Sequence, residues 1–193
     1  ANQKTVDYVL VTSFGALWAG TPEQRIALDS AAREVGAEAP SSVASMLLPK
    51  IVRLSPQGPS EAIEAGQKMM GRGRRRGLNY SGWRHTYFER ITGAWYDRHG
   101  TKGTISQNRL LKTITKINKW DKNAEAVFYI HTNLDSDNFR LRGSPCLQYI
   151  QFRVYGDRLL SVVALYRAHD YTNKALGNLI GLRDLGVFVA AKT

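Results

Sequence analysis

The fold turns on Leu147-Gln148-Tyr149-Ile150-Gln151-Phe152-Arg153-Val154-Tyr155, followed by Gly156-Asp157 and then Leu159-Leu160-Ser161-Val162-Val163-Ala164-Leu165-Tyr166. β-Branched and aromatic residues fill both arms, and Gly-Asp between them is hairpin-turn chemistry. Two strands joined by a tight turn are expected. Pro145-Cys146 delivers the single cysteine of the chain into the first arm, and Arg167-Ala168-His169-Asp170 leaves the second. A thiol, a guanidinium and a carboxylate therefore fall within one short stretch.

Helical signals surround this hairpin. Thr21-Pro22-Glu23-Gln24 reads as a capped helix start, with Pro at the first helical position and Gln24 closing a capping box. Ile26, Leu28, Ala31, Ala32 and Val35 supply its apolar face and Gly36 ends it. Prolines at 40, 49, 56 and 59 predict short elements, and a helix is expected from about Ser60 through Met69. Residues 106–120 carry helical periodicity through Leu110, Leu111, Ile114 and Ile117, with Thr104 and Gln107 matching a capping box. Strands are expected at 8–12 and 124–132. A last helix is expected at 172–185, where Gly177 and Gly181, four apart, permit close packing. No repeat and no interdomain linker interrupts the sequence. It reads as one α+β domain over 1–193 with a mixed or antiparallel sheet.

The chain has 193 residues, 43% of them hydrophobic, enough for one core. No apolar run approaches the roughly 20 residues needed to span a bilayer. The apolar stretch 8–18 reads as a core strand and not as a signal, and a lone cysteine gives no internal disulfide. The expectation is a cytoplasmic protein that neither crosses nor binds a membrane. The net charge of +11 favours polyanionic or phosphate-bearing partners. Gly71-Arg72-Gly73-Arg74-Arg75-Arg76-Gly77 reads as a mobile basic loop. Such a loop can wrap a nucleotide phosphate, bind nucleic acid, or simply be solvated. Tyr80, Trp83, Tyr87 and Phe88, interleaved with Arg84, His85 and Arg90, can form an aromatic wall beside it. The four histidines show no metal-ligand spacing with Cys146, and no metal is expected.

Cys146 has two readings, a small core residue or a nucleophile made reactive by nearby arginines such as Arg140, Arg142 and Arg167. Arg167 is either a bidentate phosphate ligand or the partner of Asp170 in a surface ion pair. Asp170 can cap the last helix or orient a ligand. The Asn178 amide both donates and accepts, and so suits a pyrimidine edge.

In order and spacing, Pro145-Cys146, Gln151-Phe152, Arg167-Ala168-His169-Asp170 and Asn178 resemble the active-site half of the thymidylate synthase and pyrimidine nucleotide hydroxymethylase superfamily. Residues 110–137 are similar to the helix and strand that precede its cysteine, and residues 80–91 more loosely to its Tyr-Gly-x-x-Tyr-x-x-Arg region. Residues 1–60 carry no recognisable likeness. The resemblance implies a thymidylate-synthase-like fold, a mixed β-sheet packed with helices, and a homodimer of packed sheets. It implies that Cys146 adds to C6 of a pyrimidine nucleotide and that C5 then takes a methyl or hydroxymethyl group from 5,10-methylenetetrahydrofolate. By the same likeness Arg167 holds phosphate, Asn178 reads the base, and Asp170 supports the ring or the folate. Gln151, Tyr87 and Arg90 join the substrate site, and Glu61 (or Glu64) stands for the catalytic carboxylate of an early helix. The chain departs from the pattern at Leu147, where the family has His, at Ala168, where it has Ser, and at Glu125-Ala126, where it has paired arginines. The alternative is a member that binds nucleotide or nucleic acid without catalysis.

Overall fold

A computed structural model describes residues 21–78, 85–121, 127–137, 144–155 and 159–193. Seven α-helices and five strands are described, in the order α1 (Pro22–Glu34), α2 (Pro40–Leu47), α3 (Lys50–Arg53), α4 (Pro59–Arg75), α5 (Tyr87–Thr92), β1 (Ala94–Tyr96), β2 (Lys102–Thr104), α6 (Arg109–Asn118), β3 (Val127–His131), β4 (Leu147–Tyr155), β5 (Leu159–Tyr166) and α7 (Ala175–Lys192). The strands form a β1–β2 hairpin and a β3–β4–β5 sheet. Every described pairing is antiparallel, so the α+β class holds and, of the mixed or antiparallel sheet expected, the described strands form the antiparallel one.

Strand alternation builds the core. Ile150 and Phe152 of β4 and Ile130 of β3 face inward, and Leu147 joins them. They pack with Leu47, Ile63, Phe88, Leu110, Ile114 and Phe188 from the helices. Leu147 and Ile150 are three apart and both buried, which strict alternation forbids. A register irregularity between Leu147 and Tyr149 resolves this, re-aiming the start of β4 just past Cys146.

Small residues set the closest helix contacts. A Cβ on Gly177 would lie 2.4 Å from Val43 Cβ, and one on Gly181 would lie 3.1 Å from Leu47 Cβ, so α7 sits directly on α2. The basic loop expected at 71–77 is mostly helix instead. α4 runs on through Arg75, with Gly71 and Gly73 buried. Gly71 meets Tyr96 of β1 so closely that a Cβ would lie 2.4 Å from Tyr96 Cβ. Arg74 is neutralised by the fully buried Glu89, with one Nη bonding Glu89 Oε2 at 2.6 Å. Only Arg72, Arg75 and Arg76 of the four arginines are solvated.

Other expectations shift in detail. The α1 capping box is present, Thr21 Oγ1 accepting from Gln24 N–H and Gln24 Oε1 accepting from Thr21 N–H. Its apolar face is not covered by the described residues, however: Ile26 is 65% and Val35 80% exposed. α6 begins at Arg109, capped by Asn108 accepting from Leu111 N–H, because Thr104 is taken into β2. The expected strand at 8–12, the Gly156-Asp157 turn, Tyr80, Trp83, Arg84, Glu125, Arg140 and Arg142 lie outside the described residues.

Candidate functional site

The register irregularity at the head of β4 leaves Cys146 at the rim of the sheet, half-exposed, at the wall of a cavity of about 160 Å³. Tyr87, the first residue of α5, reaches it from one side. Its hydroxyl oxygen accepts from the backbone N–H of both Cys146 and Leu147, each at 3.1 Å. Two amides at the head of β4 therefore rest on one phenol oxygen beside the cavity. Burial pushes the Tyr87 hydroxyl above its ordinary pKa, so it stays protonated.

α5 is fixed at both ends by local chemistry. Thr86 and Glu89 form a capping box that the sequence reading missed. Gly93 closes the helix in the left-handed conformation (φ 77°), and a Cβ there would lie 2.3 Å from Ser106 O. Arg90, one turn on, is turned into the protein and is 2% exposed. Its guanidinium bonds both oxygens of Asp137 and the carbonyl of Thr132. Arg90 is a buried strut that holds the segment after β3, and it does not line the cavity.

On the other side the chain leaves β5. Arg167 N–H donates to Cys146 O at 2.8 Å, which extends the β4–β5 pairing to the cysteine itself. The Arg167 side chain folds back over the preceding loop, Nε donating to Pro145 O at 3.2 Å and Nη2 to Ser144 O at 2.7 Å. It pairs with these carbonyls rather than with Asp170, so the surface ion pair considered from sequence is replaced by a clamp on the cysteine loop.

The turn after Arg167 carries the polar wall. Asp170 Oδ1 accepts from Asn173 N–H at 3.0 Å, and Asp170 O accepts from the N–H groups of Lys174 and Ala175. The Asn173 backbone bond holds the Asp170 carboxyl below its ordinary pKa. Asp170 therefore organises the entry to α7 and lines the cavity as well. Asn178, one turn into α7 and 7% exposed, puts its Nδ2 3.0 Å from His169 Nε2. His169 stacks on Tyr166 with ring centroids 4.4 Å apart. Burial lowers the His169 pKa and the charge of Asp170 partly restores it.

Cys146, Tyr87, Asp170 and Asn178 therefore share one cavity, as the sequence grouping expects. Arg167 stands behind the cysteine loop. Gln151 sits on the opposite, outward face of β4, bonded to the Tyr149 hydroxyl. Glu61 is exposed in the first turn of α4 and is not part of this lining. The cavity also takes in His85, which the sequence put in the aromatic segment, and Thr86, His169 and the Lys174–Glu38 ion pair at 3.4 Å, which the sequence reading had not proposed. The signal for His169 was present inside the Arg-Ala-His-Asp block. Those for Glu38 and Lys174 depend on α2 and α7 packing together and are not local in sequence. Among the described residues no three metal-ligating side chains converge, and no helix is long and apolar enough to cross a membrane. No family model, no curated protein and no solved structure matches the chain.

Proposed function

We propose that the protein is a thymidylate-synthase-like C5 methyl- or hydroxymethyltransferase acting on a pyrimidine nucleotide through a covalent Cys146 adduct. The observation that carries the reading is the meeting of Cys146, Tyr87, Asp170 and Asn178 around one cavity, although they come from β4, α5, a turn and α7. These are residues to which the sequence resemblance assigns nucleophile, ring-support and base-reading roles.

The chemistry follows from the groups present. The Cys146 thiolate adds to C6, forming the C–S bond, and the C5=C6 π pair moves through C5 onto O4. C5 is thereby a nucleophile, which an aromatic ring does not otherwise provide. A proton exchanges at C5, and return of the pair to the ring expels the thiolate. The Tyr87 hydroxyl fixes the backbone that carries the sulfur at the cavity wall. Asn178 presents a donor and an acceptor for the base edge, and Arg167 offers its outer N–H groups to a phosphate at the rim. The one-carbon donor implied by the resemblance is 5,10-methylenetetrahydrofolate.

The test is release of the C5 hydrogen of deoxyuridine monophosphate into water, with and without the folate, alongside covalent capture of 5-fluorodeoxyuridine monophosphate seen by intact mass. Exchange and capture that vanish in Cys146→Ser are expected. No exchange and no adduct with any pyrimidine nucleotide overturns the reading. A second reading, binding of nucleic acid without catalysis, is favoured by the solvated Arg72, Arg75 and Arg76 at the end of α4 and by the net charge. It predicts a steep salt dependence for binding to polymer and none of the exchange chemistry.

A further inference from the structure

The basic run at the end of α4 is enlarged by a neighbour remote in sequence. Lys68, Arg72, Arg75 and Arg76 stand at i, i+4, i+7 and i+8, a stripe on one face that runs about 12 Å along the axis. Gly66, on the opposite face, is where α4 packs on Val52 and Phe88. The stripe therefore looks to solvent, and all four of its cations are exposed. Beside it lies the β1–β2 hairpin. Tyr96 covers Gly71, and in the hairpin register it stands opposite Lys102. At the turn, a Cβ on Gly100 would lie 3.0 Å from Arg75 Nη1, so the guanidinium rests on the turn that carries Arg98. Arg98 and Lys102 are exposed as well.

Arginines at a helix C-terminus already offset the negative end of its dipole, so the α4 run alone carries little. The hairpin cations have no such reason to gather there, and the nearby acids are engaged elsewhere. Glu64 bonds Lys68 at 2.7 Å, Glu89 is buried against Arg74, and Asp97 Oδ1 accepts from the N–H groups of His99 and Thr101 inside the turn. Among the described residues no carboxylate lies within ion-pair distance of Arg72, Arg75, Arg76, Arg98 or Lys102. Four of these five are arginines, whose planar fork matches phosphate oxygens. The stripe is as long as about three to four phosphates of one strand, which lie about 3.4 Å apart along a duplex axis. We infer that the end of α4 and the β1–β2 hairpin form one nucleic-acid surface that grips the phosphate backbone without reading sequence. It shares no residue with the Cys146 cavity. It therefore goes beyond the pyrimidine reading and stands or falls apart from it.

The experiment is fluorescence anisotropy of the full chain with a labelled oligonucleotide of mixed sequence, single-stranded and duplex, as DNA and as RNA. Salt is raised from about 50 mM to about 200 mM. Five phosphate contacts predict a slope of log K against log salt of about −4.5 for duplex DNA and about −3.5 for single strands. On duplex DNA, Arg98→Gln/Lys102→Gln should make the slope shallower by about 2, and Arg72→Gln/Arg75→Gln/Arg76→Gln by about 3. Arg33→Gln/Lys50→Gln removes two exposed cations from α1 and α3 and should keep the wild-type slope. Every changed side chain is exposed. The single changes Arg98→Gln and Lys102→Gln, each expected to lower the slope by about 1, replace any multiple variant that fails to fold.

A hairpin variant with the wild-type slope overturns the inference. So does a control variant that loses as much as the hairpin variant, since net charge and not this surface would then bind. Absence of binding at about 50 mM salt does the same. Displacement of the oligonucleotide by phosphatidylserine vesicles or by polyglutamate, at equal charge, would assign the surface to an acidic membrane or an acidic protein instead. An excess of deoxyuridine monophosphate should not displace the oligonucleotide. Displacement by it would put the polymer in the cavity, which overturns this surface and leaves the pyrimidine reading standing. Failure of C5 exchange and of the Cys146 adduct overturns the pyrimidine reading and leaves the salt slopes as they are.

Discussion

A phenol that accepts two backbone amides is an uncommon support for a cysteine, and it makes Tyr87 answerable by experiment. Tyr87→Phe keeps the ring in the core and removes the oxygen. The N–H groups of Cys146 and Leu147 then lose their acceptor at the head of β4. Leaving such groups without a partner costs about 1–3 kcal/mol, so a denaturant midpoint shift of that size is expected. C5 exchange should fall more than the stability loss explains, because the backbone that carries the thiol loses its anchor at the cavity wall. An unchanged exchange rate in a folded Tyr87→Phe chain would remove Tyr87 from the proposed chemistry. Arg90 shows the opposite case. By sequence it belongs with Tyr87 in a substrate-facing segment, and the two share a face of α5, but the Arg90 guanidinium reaches past the cavity to a buried carboxylate. Arg90 is consumed by Asp137 inside the protein. The residues of the cavity legible in the sequence were those within the Pro-Cys and Arg-x-x-Asp blocks and the Asn that follows, where strand pairing and the next helix start bring neighbours together. Glu38 and Lys174 were not legible, because only tertiary packing of α2 and α7 collects them.

Among the elements, α4 shows why composition misled. Four arginines and three glycines within 71–77 look incompatible with a core helix, and Gly alone costs about 1 kcal/mol against Ala in a helix interior. Gly71 is tolerated because β1 needs the space. Gly71 leaves room for Tyr96, and the buried Arg74–Glu89 pair ties α4 to α5. Gly71→Ala should therefore destabilise despite its better helix propensity. The new methyl would lie 2.4 Å from Tyr96 Cβ, an atom fixed to the backbone, and overpacking of this kind costs about 1–3 kcal/mol. Gly177→Ala, 2.4 Å from Val43 Cβ, should behave alike. It should also loosen the α2–α7 contact beside the cavity, weakening the binding of deoxyuridine monophosphate measured by calorimetric titration. A rise in melting temperature for either variant would refute the close-approach account. The two long strands and the capping box of α1 were readable beforehand because each depends on local chemistry alone. The β1–β2 hairpin was not, since its strands are three residues each and carry no alternating run.

At the scale of the whole molecule, Asp184 and the open sheet face each make a claim. Asp184 of α7, 4% exposed, receives Arg25 of α1, Arg53 of α3 and Arg183, so one carboxylate ties three helices together. Burial pushes its pKa up, but the bonds from Arg25 and Arg183 and the charge of Arg53 outweigh this and leave it below the ordinary value. A depressed folded-state pKa means that the stabilisation is complete above the unfolded value of about 3.9 and drains as the pH falls through the folded one. Asp184→Asn should cost about 3 kcal/mol at neutral pH, the low end for breaking a buried pair, because its arginines reach water. Its melting temperature should fall less than that of wild type between about pH 5 and pH 3. Parallel acid limbs for the two chains would show that Asp184 does not carry this stability.

The outward face of β3–β4–β5 bears on assembly. Tyr129 pairs across to Gln151 and Val163, and His131 to Tyr149 and Leu165, so these side chains share one surface. Tyr129 is 57% and Leu165 45% exposed, and the tyrosine rings of 129 and 149 sit 5.8 Å apart. Arg153 is the only Lys, Arg, Asp or Glu that the described part of the sheet turns outward, and it lies over the Tyr155 ring at 4.8 Å. A sheet face so poor in charge suits the homodimer that the resemblance implies, in which two copies would meet face to face about a two-fold axis. Each would cover about 800 Å², the usual share of a stable interface. Leu165 lies opposite Tyr149 in the register, so Leu165→Arg places a charge in the centre of that surface without touching the inward residues Ile150 and Phe152. Sedimentation equilibrium should show wild type at twice the chain mass and Leu165→Arg at one, with the fold retained by circular dichroism. Wild type sedimenting as a monomer at tens of micromolar would leave the sheet face without a second copy of the chain to cover it.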